Sequence, residues 1–196
     1  KQKTAYEIST RDWSSDVCSS DLVSRSSIDE HSLMSGSVHL APTEGLTHFS
    51  DSVGSVDVVV HCATQYRRQH RESEIKSLVE SNILLGIQLA EVATCQSARF
   101  VNISTFFQHD EGRPHNPISL YASLKDAMSD ITDYYVRHQS LNAVDLYLYN
   151  NFGPGDTRDK VVPLIVRACN SVESLLLRSP SALINLLYVE DVVVAV

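Results

Sequence analysis

Glycine is scarce in this chain: seven in 196 residues, none in a G-x-G-x-x-G or G-x-x-G-x-x-G run. No segment therefore has the permissive backbone that lets a turn close around a pyrophosphate at a helix start. Cysteine is equally sparse. Outside the first 22 residues it occurs only at positions 62, 95 and 169, an odd number at wide spacing. That pattern argues against a disulfide framework and for a reducing cytoplasm. The eight histidines form no H-x-x-x-H and the cysteines no C-x-x-C, so no metal site is expected. Positive charge is in deficit, with 16 Lys and Arg against 24 Asp and Glu and a net charge of -8, which disfavours nucleic acid as a partner. No apolar run has the length expected of a bilayer span.

The first 22 residues stand apart. Asp12 to Asp21 has neither helical nor strand periodicity and contains the only Trp of the chain. The whole stretch from Lys1 to Leu22 resembles the in-frame translation of a sequencing-library adapter and is set aside as a non-native tail; a natural polar tail is the alternative. It lacks the continuous apolar core of a secretory signal.

What remains is patterned. Asp57-Val-Val-Val-His-Cys-Ala-Thr64 has the composition of a strand buried on both faces, ending in small residues. A helical stretch from about Glu74 to Thr94 follows, then a second apolar run, Arg99 to Thr105, ending in two hydroxyls. A helix from about Ile118 to Arg137 comes next, then a third strand, Ala143 to Tyr149, running into the turn-forming Asn150-Asn-Phe-Gly-Pro154. Strand, helix, strand, helix, strand predicts an α/β fold with a doubly wound parallel sheet, whose ligands bind beyond the carboxyl ends of the strands. Further on, a helix is expected at Val161 to Cys169, short strands near Leu175 and Leu186, and another helix from Glu190.

Within the second helix, Tyr121 and Lys125 are four residues apart, which places a phenol and an ammonium on one face, one turn apart. A cation beside a phenol favours the phenolate, and a phenol that exchanges protons near neutral pH suits a hydroxyl–carbonyl redox step. The same spacing also occurs on an ordinary amphipathic helix. Order around the pair raises its weight.

From Val23 onward the chain resembles the extended short-chain dehydrogenase/reductases, in their nucleotide-sugar branch of epimerases, dehydratases and reductases. The resemblance rests on His61-Cys-Ala-Thr64, on Asn82 in the following helix, on Thr105, Tyr121 and Lys125, on Asn150 before Gly153-Pro154, and on Tyr188-Val-Glu-Asp-Val192. It implies a Rossmann-like domain and a small substrate lobe. The family's first strand and Gly-rich turn have no counterpart, so the sheet is expected to be incomplete. The expected division is a tail at 1–22, a partial dinucleotide-binding domain at 23–151 and a partial substrate lobe at 152–196. A free apolar edge is expected at Val58 to Val60.

By the same resemblance Thr105, Tyr121 and Lys125 are the catalytic residues. Tyr121 is the acid/base, Lys125 tunes it and binds the nicotinamide ribose, and Thr105 orients the reacting hydroxyl. Arg25, Ala63, Thr64 and Asn82 join Tyr121 and Lys125 in holding the dinucleotide, and Asn150 joins Thr105 on the nucleotide sugar. Arg25, in the segment resembling the end of the second strand, favours NADP slightly over NAD through a 2'-phosphate contact; a solvated loop Arg is the other reading. Family members commonly pair as homodimers through the Tyr-Lys helix and the one before it.

The departures narrow the expectation. The acid-base pair of the family's 4,6-dehydratases is replaced by Phe106 and Phe107, and phenyl rings move no protons. Reduction of a 4-ketosugar or epimerisation is therefore favoured over dehydration. The sequences Cys62-Ala-Thr-Gln-Tyr66 and Ser104-Thr-Phe-Phe107 most resemble the CDP-linked dideoxysugar synthases. Against activity, the family's diphosphate-binding Arg is replaced by Ile184 and another common Arg by Tyr147, and no adenine-contacting Asp is evident between Val38 and Gly45. The basic run Tyr66 to Arg71 is read as a solvated helix start, with a contact to a substrate diphosphate as the alternative. A non-catalytic dinucleotide-binding regulator on the same fold is the competing reading.

Overall fold

A computed structural model describes residues 22–24, 38–40, 55–171, 174–176, 179, 181 and 183–196. The strands are β1 (Leu22–Ser24), β2 (Val38–Leu40), β3 (Val58–His61), β4 (Arg99–Thr105), β5 (Asn142–Leu148), β6 (Asn150–Phe152) and β7 (Leu186–Tyr188). The helices are α1 (Glu72–Gln96), α2 (Leu120–His138), α3 (Val161–Cys169) and α4 (Val189–Ala195). Two compact units divide between Tyr147 and Leu148, a few residues ahead of the boundary expected at Phe152.

In the first unit β3, β4 and β5 form one sheet in that order, and β3 runs parallel to β4 with Val58 opposite Arg99 and His61 opposite Asn102. β1 and β2 pair separately and in parallel. Among the described residues the parallel strands of this unit thus fall into two separate sets, as an incomplete doubly wound sheet would give. Among the described residues β3 pairs only with β4, and Val58 and Val60 are 44% and 36% exposed.

The core forms where α1 and α2 lie on the sheet. Leu85, Leu89, Ala90 and Ala93 of α1 meet Phe100 of β4, Met128 and Tyr135 of α2, and Leu141. Their i, i+4 spacing on α1 gives one apolar face. Gly86 permits the closest approach: a methyl group there would lie 2.6 Å from Met128 Sδ and 2.8 Å from His61 Cε1. α1 is 25 residues long and apolar enough, by length and composition, to cross a bilayer. The expectation that no stretch reaches that length is corrected here; half of the most apolar window is buried inside the unit, as in a core helix of a packed domain.

α1 contains a π turn at Glu80–Leu84, where the Leu85 N–H bonds to Glu80 O five residues back. It ends at Ser97, in the left-handed region at φ 56°, with Ala98 N–H reaching back to Ala93 O at 2.8 Å. α2 starts at the Ser119 cap, whose hydroxyl accepts the Ala122 N–H at 3.2 Å.

In the second unit β6 and β7 pair in parallel, Asn150 opposite Leu186. Two local expectations are corrected. Asn150 to Phe152 is a strand where a turn was expected, because β7 supplies its hydrogen bonds. Conversely, among the described residues no strand forms near Leu175: residues 174–176 are irregular and Leu176 is 90% exposed.

Candidate active site

The candidate side chains of the first unit gather where β3 and β4 end. Lys125 projects from α2 into the interior, is only 1% exposed, and its Nζ donates to the Ile103 carbonyl of β4 at 2.8 Å. Burial depresses its pKa to about 8, against the favourable fields of Cys62 and Asp145. Tyr121, one turn earlier on the same helix face, is 8% exposed and its ring meets that of Tyr66 edge-on. Thr105 ends β4, buried, with its Oγ1 accepting the Phe107 N–H at 3.4 Å and its own N–H donating to Gln108 Oε1 at 3.1 Å. The cap fixes the Thr105 rotamer and leaves its hydroxyl proton to donate elsewhere.

Thr64 and Asn82 are brought together: the Thr64 hydroxyl donates to Asn82 Oδ1. Asn82 is fully buried, and its amide donates to Leu78 O at 2.9 Å and Gln65 O at 3.2 Å. It thus ties the loop after β3, which includes Ala63 and Thr64, to the π turn of α1. Asn150 belongs to the second unit, where it lines a cavity of about 200 Å³ with Asn151, Phe152, Lys160, Pro163 and Ile184. Lys160 Nζ lies 3.4 Å from Asn151 Oδ1. Arg25 lies outside the described residues.

Sequence reading missed a buried polar relay across the sheet. Asn102 Nδ2 donates to Asp145 Oδ1 at 2.7 Å, which turns Asn102 Oδ1 towards His61, so His61 Nδ1, 3.1 Å away, is the donor of that bond. Burial, helped by the Lys125 charge, lowers the His61 pKa to about 4, and burial raises that of Asp145. The signal was present: one polar residue inside each of three apolar runs, at His61, Asn102 and Asp145. Tyr66 was also missed as a partner of Tyr121.

Phe106 and Phe107, after Thr105, form a ring pair with centroids 4.2 Å apart. Among the described residues no cluster of three or more His, Cys, Asp or Glu is placed to hold a metal ion.

The comparison that decides the family is one of sequence: a family model for the NAD dependent epimerase/dehydratase family matches residues 24–196. The chain belongs to that family. A curated relative is the CDP-abequose synthase of Yersinia pseudotuberculosis, 27% identical over 144 residues, covering 72% of this chain and 50% of the relative. The chain thus spans about half the length of the curated relative it matches. This agrees with the likeness to CDP-linked dideoxysugar synthases read from the motifs. Among solved structures, UDP-N-acetylglucosamine 4-epimerase from Methanobrevibacter ruminantium, in complex with UDP-N-acetylmuramic acid, superposes with a TM-score of 0.72 at 18% identity over 89% of this chain and 63% of its own. UDP-glucuronic acid 4-epimerase from Bacillus cereus, in complex with UDP-glucuronic acid and NAD, gives 0.62 at 20% identity over 75% and 50%. At such identities the likeness concerns the fold, and it is the fold expected from the order of strands and helices.

Proposed function

We propose that the full-length gene product is an NAD(P)-dependent nucleotide-sugar oxidoreductase or epimerase, with reduction of a 4-ketosugar or epimerisation favoured over dehydration. The observation that carries this reading is Tyr121 and Lys125 on one face of α2, both buried beside the ends of β3 and β4. Tyr121 is the acid/base: it gives its phenolic proton to the ketone oxygen as that carbon is reduced, or takes a proton from the hydroxyl in the reverse sense. Lys125 supplies the positive charge that favours the phenolate, and Thr105 orients the reacting oxygen by a hydrogen bond from its hydroxyl. Phe106 and Phe107 offer no group for removing water from a neighbouring carbon.

The residues present fit a dinucleotide. The buried Lys125 ammonium has three protons and Ile103 O takes one, which suits it to ribose hydroxyls as acceptors. Ala63 and Thr64 offer a small-residue edge, and Asn82 fixes that edge in place. When bound, NAD(P) supplies or accepts the hydride. NADP is slightly favoured on the strength of Arg25. Asn150 and the cavity around Lys160 are assigned to the nucleotide sugar. The same reading places the protein in the cytoplasm and pairs it as a homodimer through α1 and α2, where Val79, Leu84, Tyr134 and Val136 remain exposed.

The test is to express the full-length gene product and follow NADPH absorbance with CDP- and dTDP-linked 4-keto-6-deoxy sugars, wild type beside Tyr121→Phe. Oxidation that disappears in the variant supports a ketosugar reductase. NADPH binding without consumption, and without epimerised product from intact nucleotide sugars, would leave the non-catalytic regulator as the better reading.

A further inference from the structure

Tyr66 is an exposed tyrosine held in an unusually complete frame. Its ring stands edge-to-face on Tyr121, with centroids 5.0 Å apart and planes at 84°, the arrangement in which a ring's positive edge meets its neighbour's negative face. Tyr66 itself is 48% exposed. The chain is nonetheless tied down on both sides of it. The carbonyl before it, Gln65 O, accepts from the buried Asn82 at 3.2 Å. Its own carbonyl accepts from Arg67 Nη1 at 2.9 Å, while Arg67 Nε pairs with Glu74 Oε1 at 2.7 Å. The second oxygen of Glu74 accepts the Arg71 N–H at 2.9 Å and closes the loop onto the start of α1. A surface aromatic that only covered apolar area would gain nothing from such a frame.

We propose that Tyr66 is a positioning residue for Tyr121: the loop anchored by Asn82 and Glu74 presents the Tyr66 ring as a fixed stop that holds the Tyr121 phenol in the orientation used for proton transfer. A phenol hydroxyl lies far from its backbone, and small rotations of the side chain displace it by more than the roughly 0.5 Å that a preorganised site tolerates. Tyr121 is buried on the helix side, and Tyr66 supplies a wall from the loop. Asn82, which holds the edge assigned to the dinucleotide, also reaches Tyr66 through its bond to Gln65 O. The proposal rests on the acid/base role of Tyr121 given above, and its test has one readout that does not depend on that role.

The experiment uses the full-length gene product labelled with [ζ-13C]tyrosine, the Tyr121 resonance being assigned by its loss in Tyr121→Phe. Tyr66→Leu is expected to shift and broaden the Tyr121 resonance by removing the ring and its ring current, and Tyr66→Phe to leave its line width and its titration with pH near wild type. Asn82→Asp, which loses the donations to Gln65 O and Leu78 O while keeping the shape, is expected to broaden it as well. In turnover with NADPH and a CDP-linked 4-keto-6-deoxy sugar, Tyr66→Leu is expected to lower kcat about three- to tenfold, the scale set by one aromatic pair, with KM within twofold. Tyr66→Phe is expected to keep kcat. Should Tyr66→Leu fail to fold, Tyr66→Phe and Asn82→Asp still report. An unmoved Tyr121 resonance in folded Tyr66→Leu overturns the proposal, as does a loss confined to KM, which would make Tyr66 a substrate contact. If the wild type turns over none of these sugars, the catalytic reading of Tyr121 fails, and the resonance alone decides whether Tyr66 positions it.

Discussion

His61 and Asn102 face each other in register on adjacent parallel strands, His61 Nδ1 lying 3.1 Å from Asn102 Oδ1 with both side chains fully buried. Asn102 passes the contact on to Asp145, so three neighbouring strands each contribute one polar side chain to a line running across the sheet. Such a line is stable only while its groups keep the protonation states that satisfy one another.

Acid is therefore expected to unfold the protein through His61. Its pKa falls from 6.5 to about 4 on folding, so the unfolded chain binds the extra proton between those values. The stability that neutral His61 contributes is complete above pH 6.5 and lost as pH falls towards 4. At pH 5 the loss is about 2 kcal/mol. Urea denaturation of wild type and His61→Gln at pH 7 and pH 5 checks this: the wild type should lose about that much more than the variant, and equal losses would refute it.

Lys125 works in the opposite pH range. Folding lowers its pKa from 10.5 to about 8, so at pH 7 the folded protein carries a buried charge at its full cost. That cost is relieved as pH rises through 8 and is gone above 10.5. Its full span is about 3 kcal/mol. Lys125→Met removes the titrating group, so the stability of wild type relative to the variant should rise between pH 7.5 and 9.5. A difference flat across that window would mean that the ammonium is better solvated than its 1% exposure implies. Activity should be lost in Lys125→Met at every pH.

The order of strands and helices was legible because apolar runs of strand length alternate with helical ones, and β4 begins and ends where Arg99 and Thr105 predicted. Lys125 and Tyr121 were legible as a pair because helical spacing alone puts them on one face. What the spacing withheld was depth: nothing in Leu120 to Lys125 says that the ammonium is the buried end of the motif, which follows from the tertiary packing of α2 on β4. The relay through Asn102 and Asp145 was hidden for the same reason, since which residues of separate strands lie opposite one another is fixed by sheet register. The strand at Asn150 to Phe152 was masked by turn-forming residues, whose local preference the distant Leu186 to Tyr188 overrides.

Gly86 should resist replacement. Alanine is the better helix former by about 1 kcal/mol, yet its methyl at this position meets Met128 Sδ at 2.6 Å and His61 Cε1 at 2.8 Å. The thioether can swing away; the imidazole is held by Asn102. Overpacking costs about 1–3 kcal/mol, so Gly86→Ala is expected to destabilise by about 1 kcal/mol on balance, read as a lower urea midpoint with unchanged slope. A stabilised variant would show that the contact between α1 and β3 is looser than described.

The β3 edge sets the behaviour of the 196-residue chain in solution. Val58 and Val60 share one side of the strand, stay more than a third exposed, and belong to a strand that pairs only with β4 among the described residues. An apolar strand with one row of backbone groups unpaired is a template for adding another strand. Lysine on an edge opposes such pairing through charge and hydration, and at a site this exposed it should change stability by no more than about 0.5 kcal/mol. Val60→Lys is therefore expected to delay concentration-dependent association of this chain, followed by static light scattering, with its circular dichroism unchanged. Scattering that sets in at the same protein concentration in both would place the sticky surface elsewhere, with the exposed apolar residues of α1 and α2 as the next to replace.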